Sequence, residues 1–179
     1  EDGETAGVEE EGEVFIRGRD CFTGYFLDEE ANKAAWDEEG WFRMGDIGKL
    51  DPQGNLTILG RKNDVIIRGG QNIIPSEVER VISLHEKVAS VAVVGMSDRI
   101  MGERVCVYVI PTKGKNITLD ELNTFLKENR VAYYKLLERL EIVAELPLVG
   151  DKVNKKMLVA DINQKLARET AFPSFKIIS

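Results

Sequence analysis

Three apolar runs, residues 88–94, 105–110 and 140–144, alternate with segments that carry helix-start signals, and this alternation limits the folds open to the chain. Ser76-x-x-Glu79 and Thr118-x-x-Glu121 have the form of capping boxes, in which a hydroxyl and a carboxylate satisfy each other's orphan N–H groups across the first helical turn. The spacing predicts one helix from Ser76 to about Leu84. It predicts a second after Thr118, with Leu119, Leu122, Phe125 and Leu126 as its apolar stripe. A last helix from Lys155 to about Ala167 sets Met157, Leu158, Ile162 and Leu166 on one face. Ahead of these, residues 64–68 read as a short β run ending at Gly69-Gly70, and Pro111 stops the second apolar run. The order hairpin, helix, strand, strand, helix, strand, helix predicts an α+β domain of about one hundred residues, enough to close a core of its own.

Residues 1–60 have a different character. Glu13 to Arg17 alternate as a strand does, Asp28 can cap a helix reaching about Trp36, and Gly40 is placed to end it. Residues 41–50 read as extended but broken at Gly45-Asp46. Asp51-Pro52-Gln53-Gly54-Asn55 is a strong turn, and residues 56–59 return as a second strand of a hairpin. This part is mostly β and too short to close a comfortable core unaided. The domain boundary falls in the Arg61–Asp64 loop. The expected organisation is a β-rich segment over 1–61, a domain over 62–167, and a tail over 168–179 that matches no pattern.

Several function classes drop out on composition. Net charge is −7, which disfavours nucleic-acid binding, because phosphate neutralisation needs a basic surface. Residues 1–13 carry seven acidic groups and no basic one, and read as a frayed end. No apolar run approaches the roughly 18 residues of a membrane span, and no signal peptide precedes Arg17, the first basic residue. Two cysteines, Cys21 and Cys106, lie far apart without metal-type spacing, so a reducing cytoplasm is the expected compartment and no metal site is expected. His85 reads as a residue near a helix C-terminus, where the dipole favours it.

Four short segments carry candidate chemistry. Phe42-Arg43-Met44-Gly45-Asp46 puts a carboxylate just past a glycine that lets a strand bend and a ligand approach. Arg61 follows fifteen residues later with a planar donor fork. Arg68-Gly69-Gly70-Gln71-Asn72-Ile73 ends a strand in a bare glycine pair, and Lys152-Val153-Asn154-Lys155-Lys156 is locally basic. Taken singly, these are a turn aspartate, a surface arginine, a tight turn and a solvated helix start. Glu77 and Glu79 need no role beyond capping and helix-dipole complementarity.

In this order and at this separation the segments resemble the closing motifs of the adenylate-forming (ANL) superfamily, which includes the acyl-CoA synthetases and the 2,3-dihydroxybenzoate–AMP ligases. Residues 102–107 and Ala132-Tyr133-Tyr134-Lys135 add to the resemblance, which extends from about Gly12 to Leu166. It implies an α+β chain made of the end of a large-domain β subdomain, followed by a small mobile C-terminal lid with a mixed sheet and flanking helices. It implies that Lys152 is catalytic, bridging the substrate carboxylate and the α-phosphate, and that Asp46 and Arg61 bind the nucleotide. It further implies that Asn63 is the hinge, and that Gly69 and Gly70 help line the pantetheine tunnel. Three positions depart from the pattern: Asn63 replaces the usual Asp or Lys, Asp151 stands where a glycine precedes the lysine, and Leu137 stands where a proline is frequent. ATP, Mg²⁺, a carboxylic acid, and CoA or the phosphopantetheine of a carrier protein are the implied cofactor and partners. No phosphate loop or acyl pocket occurs in the sequence, so the chain is expected to be inactive alone. Strand edges within residues 13–59 are expected to pair with a second copy. From another class, a non-catalytic interaction module reusing the lid fold stands as the alternative, favoured by Asp151 and Asn63.

Overall fold

Gly45 carries φ +69 inside a strand, a conformation that costs a residue with a Cβ about 1–2 kcal/mol, and the first sheet is built around it. The computed structural model describes residues 5–171. Strands β1 (Gly12–Ile16), β2 (Phe42–Leu50) and β3 (Leu56–Arg61) form one antiparallel sheet in that order, with helix α1 (Glu29–Ala35) in the first connection. Glu13 and Phe15 of β1 stand opposite Ile47 and Arg43, so Met44, Gly45 and Asp46 bulge past Val14. The break expected at Gly45-Asp46 is therefore a bulge inside a continuous nine-residue strand, because the ladder resumes at Ile47.

Asp28 caps α1 as expected, its Oδ1 accepting from the Ala31 N–H at 2.9 Å. The helix ends at Ala35, and Gly40, at φ +81, instead closes the turn that leads into β2. The β2–β3 turn is held by the Asp51 carboxylate, which accepts from the N–H groups of Gln53 and Asn55 and from Asn55 Nδ2. Those donors, Asn55 foremost, hold Asp51 below the ordinary carboxylate range. Phe22 packs edge to face on Trp36 and Phe42, yet Val14 is the sole buried hydrophobic residue described in this part of the chain.

The chain divides between Asn63 and Asp64 into two contact units. The second opens with the hairpin β4 (Ile66–Arg68) and β5 (Gln71–Ile73), then runs α2 (Pro75–Ile82), β6 (Val88–Asp98), β7 (Gly102–Pro111), α3 (Leu119–Glu128), β8 (Arg139–Ile142), β9 (Leu148–Val149), β10 (Lys152–Val153) and α4 (Lys155–Ala171). β7 is central. β6 pairs with it antiparallel along one edge. On the other edge β8 runs parallel to it from Cys106 to Val109, and β4 meets it where Arg68 faces Gly102.

The continuous apolar runs are explained by cover on both faces of this sheet. Val93, Val105, Val107 and Val109 point to one side, into a core with Val78, Ile82, Leu122 and Leu126 of α2 and α3. Ala92, Val94, Met96, Cys106 and Tyr108 point to the other, against Leu158 and Ile162 of α4. Fully burying side chains such as Leu122 and Ile162 contributes about 1.5–3 kcal/mol each. Met157, expected on the apolar face of α4, is exposed, and Val159 packs against the core instead.

One further expectation is corrected. The Thr118 cap forms, its Oγ1 accepting from the Glu121 N–H, but Ser76 is not the N-cap of α2 and falls inside its first turn. α2 already begins at Pro75, with Ile74 as the residue before it, because proline is preorganised for the first helical position. His85 lies just past the C-terminus of α2, as expected, its N–H donating to the Ile82 carbonyl at 3.0 Å, while its ring packs edge-on against Phe125 of α3 and Nδ1 accepts from the Lys87 N–H.

Candidate functional site

The bulge in β2 aims the Asp46 carboxylate across the sheet. Asp46 and Arg61 are register partners on β2 and β3, and Arg61 Nη1 lies 3.1 Å from Asp46 Oδ1 and donates to the Met44 carbonyl, also at 3.1 Å. Asp46's side chain is 13% exposed and Arg61's 57%, so the carboxylate is sheltered beneath a guanidinium that faces solvent. An acceptor and a donor fork are thus held side by side on adjacent strands, as recognition of a polar ligand carrying hydroxyls or phosphate requires.

Asn63 sits in a 3₁₀ turn, Lys62–Asp64, and is the last residue of the first unit. Its neighbour Lys62 is tied back to β1 by a 2.7 Å ion pair with Glu13. Asn63 itself is therefore placed where the chain passes from one unit to the other.

Gly69 and Gly70 form the two-residue turn of the β4–β5 hairpin, at φ +56 and +81. Positive φ at both central residues is what a type I′ hairpin turn demands. A Cβ on Gly69 would also stand 2.6 Å from Met101 Cε, while nothing lies within 4 Å of one on Gly70. The turn is anchored by its neighbour. Arg68 forks onto Glu138 with both bonds at 3.0 Å, and Glu138 also accepts from the Val105 N–H. Burial alone would raise the Glu138 carboxyl, but the Arg68 fork and the Val105 N–H outweigh it and hold it below the ordinary value. The Glu138 bond in turn raises Arg68.

Lys152 is carried by a separate small hairpin, β9–β10, in which it stands opposite Val149. Gly150 opens the turn at φ +59, and a positive φ at the first central position alone marks a type II′ turn. The side chain of Lys152 is exposed, and among the described residues no carboxylate forms an ion pair with it, Asp151 included. Immediately after the hairpin, Asn154 stands just ahead of α4, its Oδ1 accepting from the Met157 N–H at 3.3 Å.

Asp46 and Arg61 are thus brought into contact, whereas Gly69-Gly70 and Lys152 ride on different hairpins of the second unit. Three supporting residues were missed in the sequence. Glu77 pairs with Lys135, Glu79 pairs with Lys155, and Glu138 holds Arg68. Each joins residues far apart in sequence, so no local pattern announces it. Among the described residues no three His, Cys, Asp or Glu side chains converge to hold a metal ion. No described helix is long and apolar enough to cross a membrane.

Comparison with known proteins places these features. Residues 77–156 match the AMP-binding enzyme C-terminal domain. The chain is 40% identical over 161 residues to a medium-chain fatty-acid–CoA ligase of Escherichia coli, covering 89% of this chain and 28% of that protein. It is 39% identical over 158 residues to a 2,3-dihydroxybenzoate-AMP ligase of Bacillus subtilis, covering 88% of this chain and 29% of the relative. Among solved structures, the o-succinylbenzoate CoA synthetase (MenE) of Bacillus subtilis in complex with its acyl-adenylate intermediate superimposes with a TM-score of 0.82 at 35% identity, over 88% of this chain and 32% of the other. The chain therefore spans less than a third of the length of the curated relatives it matches.

Proposed function

This chain corresponds to the C-terminal portion of the adenylate-forming (ANL) enzymes, and from that premise we propose that it works as the lid of an AMP-forming acid–thiol ligase within a longer polypeptide. The observation that carries the proposal is a match over nearly nine-tenths of the chain to proteins named as acid–CoA and acid–AMP ligases. The reaction has two halves. A carboxylate oxygen attacks the α-phosphorus of ATP, forming the acyl-AMP and expelling pyrophosphate. A thiol sulfur then attacks the acyl carbon, forming the thioester and expelling AMP. The acceptor is CoA or the phosphopantetheine of a carrier protein, and the two free cysteines suit a reducing cytoplasm.

Each candidate residue has a part suited to its place. Asp46 accepts hydrogen bonds from the ribose hydroxyls, as a sheltered carboxylate can, and Arg61 beside it donates to the nucleotide. Lys152 supplies an ammonium with no competing carboxylate among the described residues, suited to the crowded anionic phosphorus of the first half-reaction. Asn63 is the hinge about which the second unit swings to bring the Gly69-Gly70 turn to the thiol. Gly69 and Gly70 leave the backbone bare where a thin pantetheine arm passes. Mg²⁺ would come with the nucleotide's phosphates, whose negative charge it would neutralise.

The test uses the full-length polypeptide. Lys152→Ala is expected to slow ATP–pyrophosphate exchange by about 10²–10³, the usual loss for one transition-state contact, while sparing thioester formation from preformed acyl-AMP. Equal loss in both halves would show Lys152 to be structural. The 179-residue chain alone is expected to show no exchange. Robust exchange by it with any acid would overturn the proposal.

A further inference from the structure

Lys152 belongs to a two-stranded hairpin that joins no other sheet, so something outside its own hydrogen bonds must fix where it points. On one side the hairpin leans on the core beneath α4, through Leu146 and Val153. On the other, three residues after Lys152, Lys155 Nζ lies 2.8 Å from Glu79 Oε1. The same oxygen of Glu79 accepts from the Val93 N–H at 2.7 Å, on the edge of β6 turned away from β7. Glu79 comes from α2, on one face of the sheet, and Lys155 from α4, on the other; they meet at the strand edge between them. Their side chains are only 20% and 19% exposed. A charge-assisted bond so shielded is stronger than a surface pair, and it fixes both ends.

We propose that Glu79 and Lys155 are positioning residues for Lys152: their ion pair, braced on the Val93 N–H, sets the start of α4 and with it the direction of the catalytic lysine during adenylation. The inference rests on the role proposed above for Lys152. α2 follows directly from the Gly69-Gly70 hairpin, so the pair also joins the elements that carry the two candidate loops.

The experiment measures both half-reactions in the full-length polypeptide. Lys155→Met is expected to slow ATP–pyrophosphate exchange about tenfold or more, because displacing a reacting group by about 1 Å can cost 10²-fold. Thioester formation from preformed acyl-AMP is expected to stay within about twofold. Glu79→Gln keeps an acceptor for Val93 but loses the ion pair; it should match Lys155→Met, and the double variant should lose no more than either single one. Lys155→Arg should restore most of the rate. Asn163→Ala is the control. It removes another contact between α4 and the same edge of β6, the 2.9 Å bond from the Ser97 N–H, farther from Lys152. Asn163→Ala slowing exchange as much as Lys155→Met, equal loss in both half-reactions, or an unchanged exchange rate in Lys155→Met would each overturn the proposal. If Lys152→Ala itself leaves exchange untouched, the role of Lys152 fails first and takes this inference with it. Loss in Lys152→Ala without loss in Lys155→Met rejects this inference alone.

Discussion

Replacing Arg68 by methionine removes the fork on Glu138 while keeping an unbranched apolar stem. Breaking a fully buried ion pair typically costs about 3–5 kcal/mol and an exposed one about 0–1. This pair is largely buried and bidentate, but Glu138 would keep the Val105 N–H at 3.2 Å and Arg104 at 3.9 Å. Arg68→Met should therefore cost about 2 kcal/mol. Glu138→Met should cost about 3, since it also leaves the Val105 N–H without its carboxylate. Because the residues share one interaction, the double variant should cost less than the sum by at least about 1 kcal/mol. Both tryptophans, Trp36 and Trp41, precede Asp64, so their fluorescence follows the first unit and would miss the change. Urea unfolding read by amide exchange along Val105–Val109 follows the second. The carboxyl of Glu138 is held below its ordinary value in the folded chain. Its contribution is thus complete above the unfolded value, about 4.3, and is lost as pH falls through the lower folded value. The gap between the native chain and Arg68→Met should close in that acidic window. Strict additivity at pH 7, or a gap that persists undiminished to about pH 2, would refute the reasoning.

Gly69→Ala and Gly70→Ala should each lose about 1–2 kcal/mol from positive φ, with Gly69→Ala the worse because Met101 must move; equal, negligible losses would mean that the turn has rearranged. Cys106 is buried and its thiol is pushed up to about 12, chiefly by that burial, so an alkylating reagent at pH 8 should label Cys21 quickly and Cys106 only on unfolding. Labelling of both at similar rates would contradict the packing beneath α4. In the isolated chain, residues 64–166 should exchange slowly and residues 13–59 faster, with association through side chains such as Phe26 and Leu27, which are 90% and 88% exposed. Uniform slow exchange over 13–59 in a strict monomer, measured by mass in solution, would contradict this.

The sequence was most readable where a local rule had no competitor. Thr118 caps α3 by accepting from the Glu121 N–H, and Asp28 caps α1 by accepting from the Ala31 N–H. Ser76 fits the same pattern and fails, since Pro75 starts α2 one residue earlier and Glu79 is drawn away to Val93 and Lys155. Gly45-Asp46 was legible as an irregularity but not as a bulge, because a bulge is defined by the partner strand. The β9–β10 hairpin leaves no sequence signal, because strands of two residues have no period to read. Asp46 and Arg61 were legible as candidates through motif spacing, and their 3.1 Å contact needed the register of β2 on β3.

The two-faced sheet has a consequence for the chain as it leaves the ribosome. The β6–β7 hairpin is local, its strands joined by the short turn at residues 99–101, and it can pair as soon as Pro111 is clear. Its face with Cys106 and Tyr108 stays uncovered until α4 appears, and the Tyr108 hydroxyl waits for the Leu158 carbonyl fifty residues downstream. At about 5–20 residues per second, that interval lasts about 3–10 s. For those seconds a strip of apolar side chains is open to chaperones and to neighbouring nascent chains, and it closes only when the helix that follows Lys152 docks.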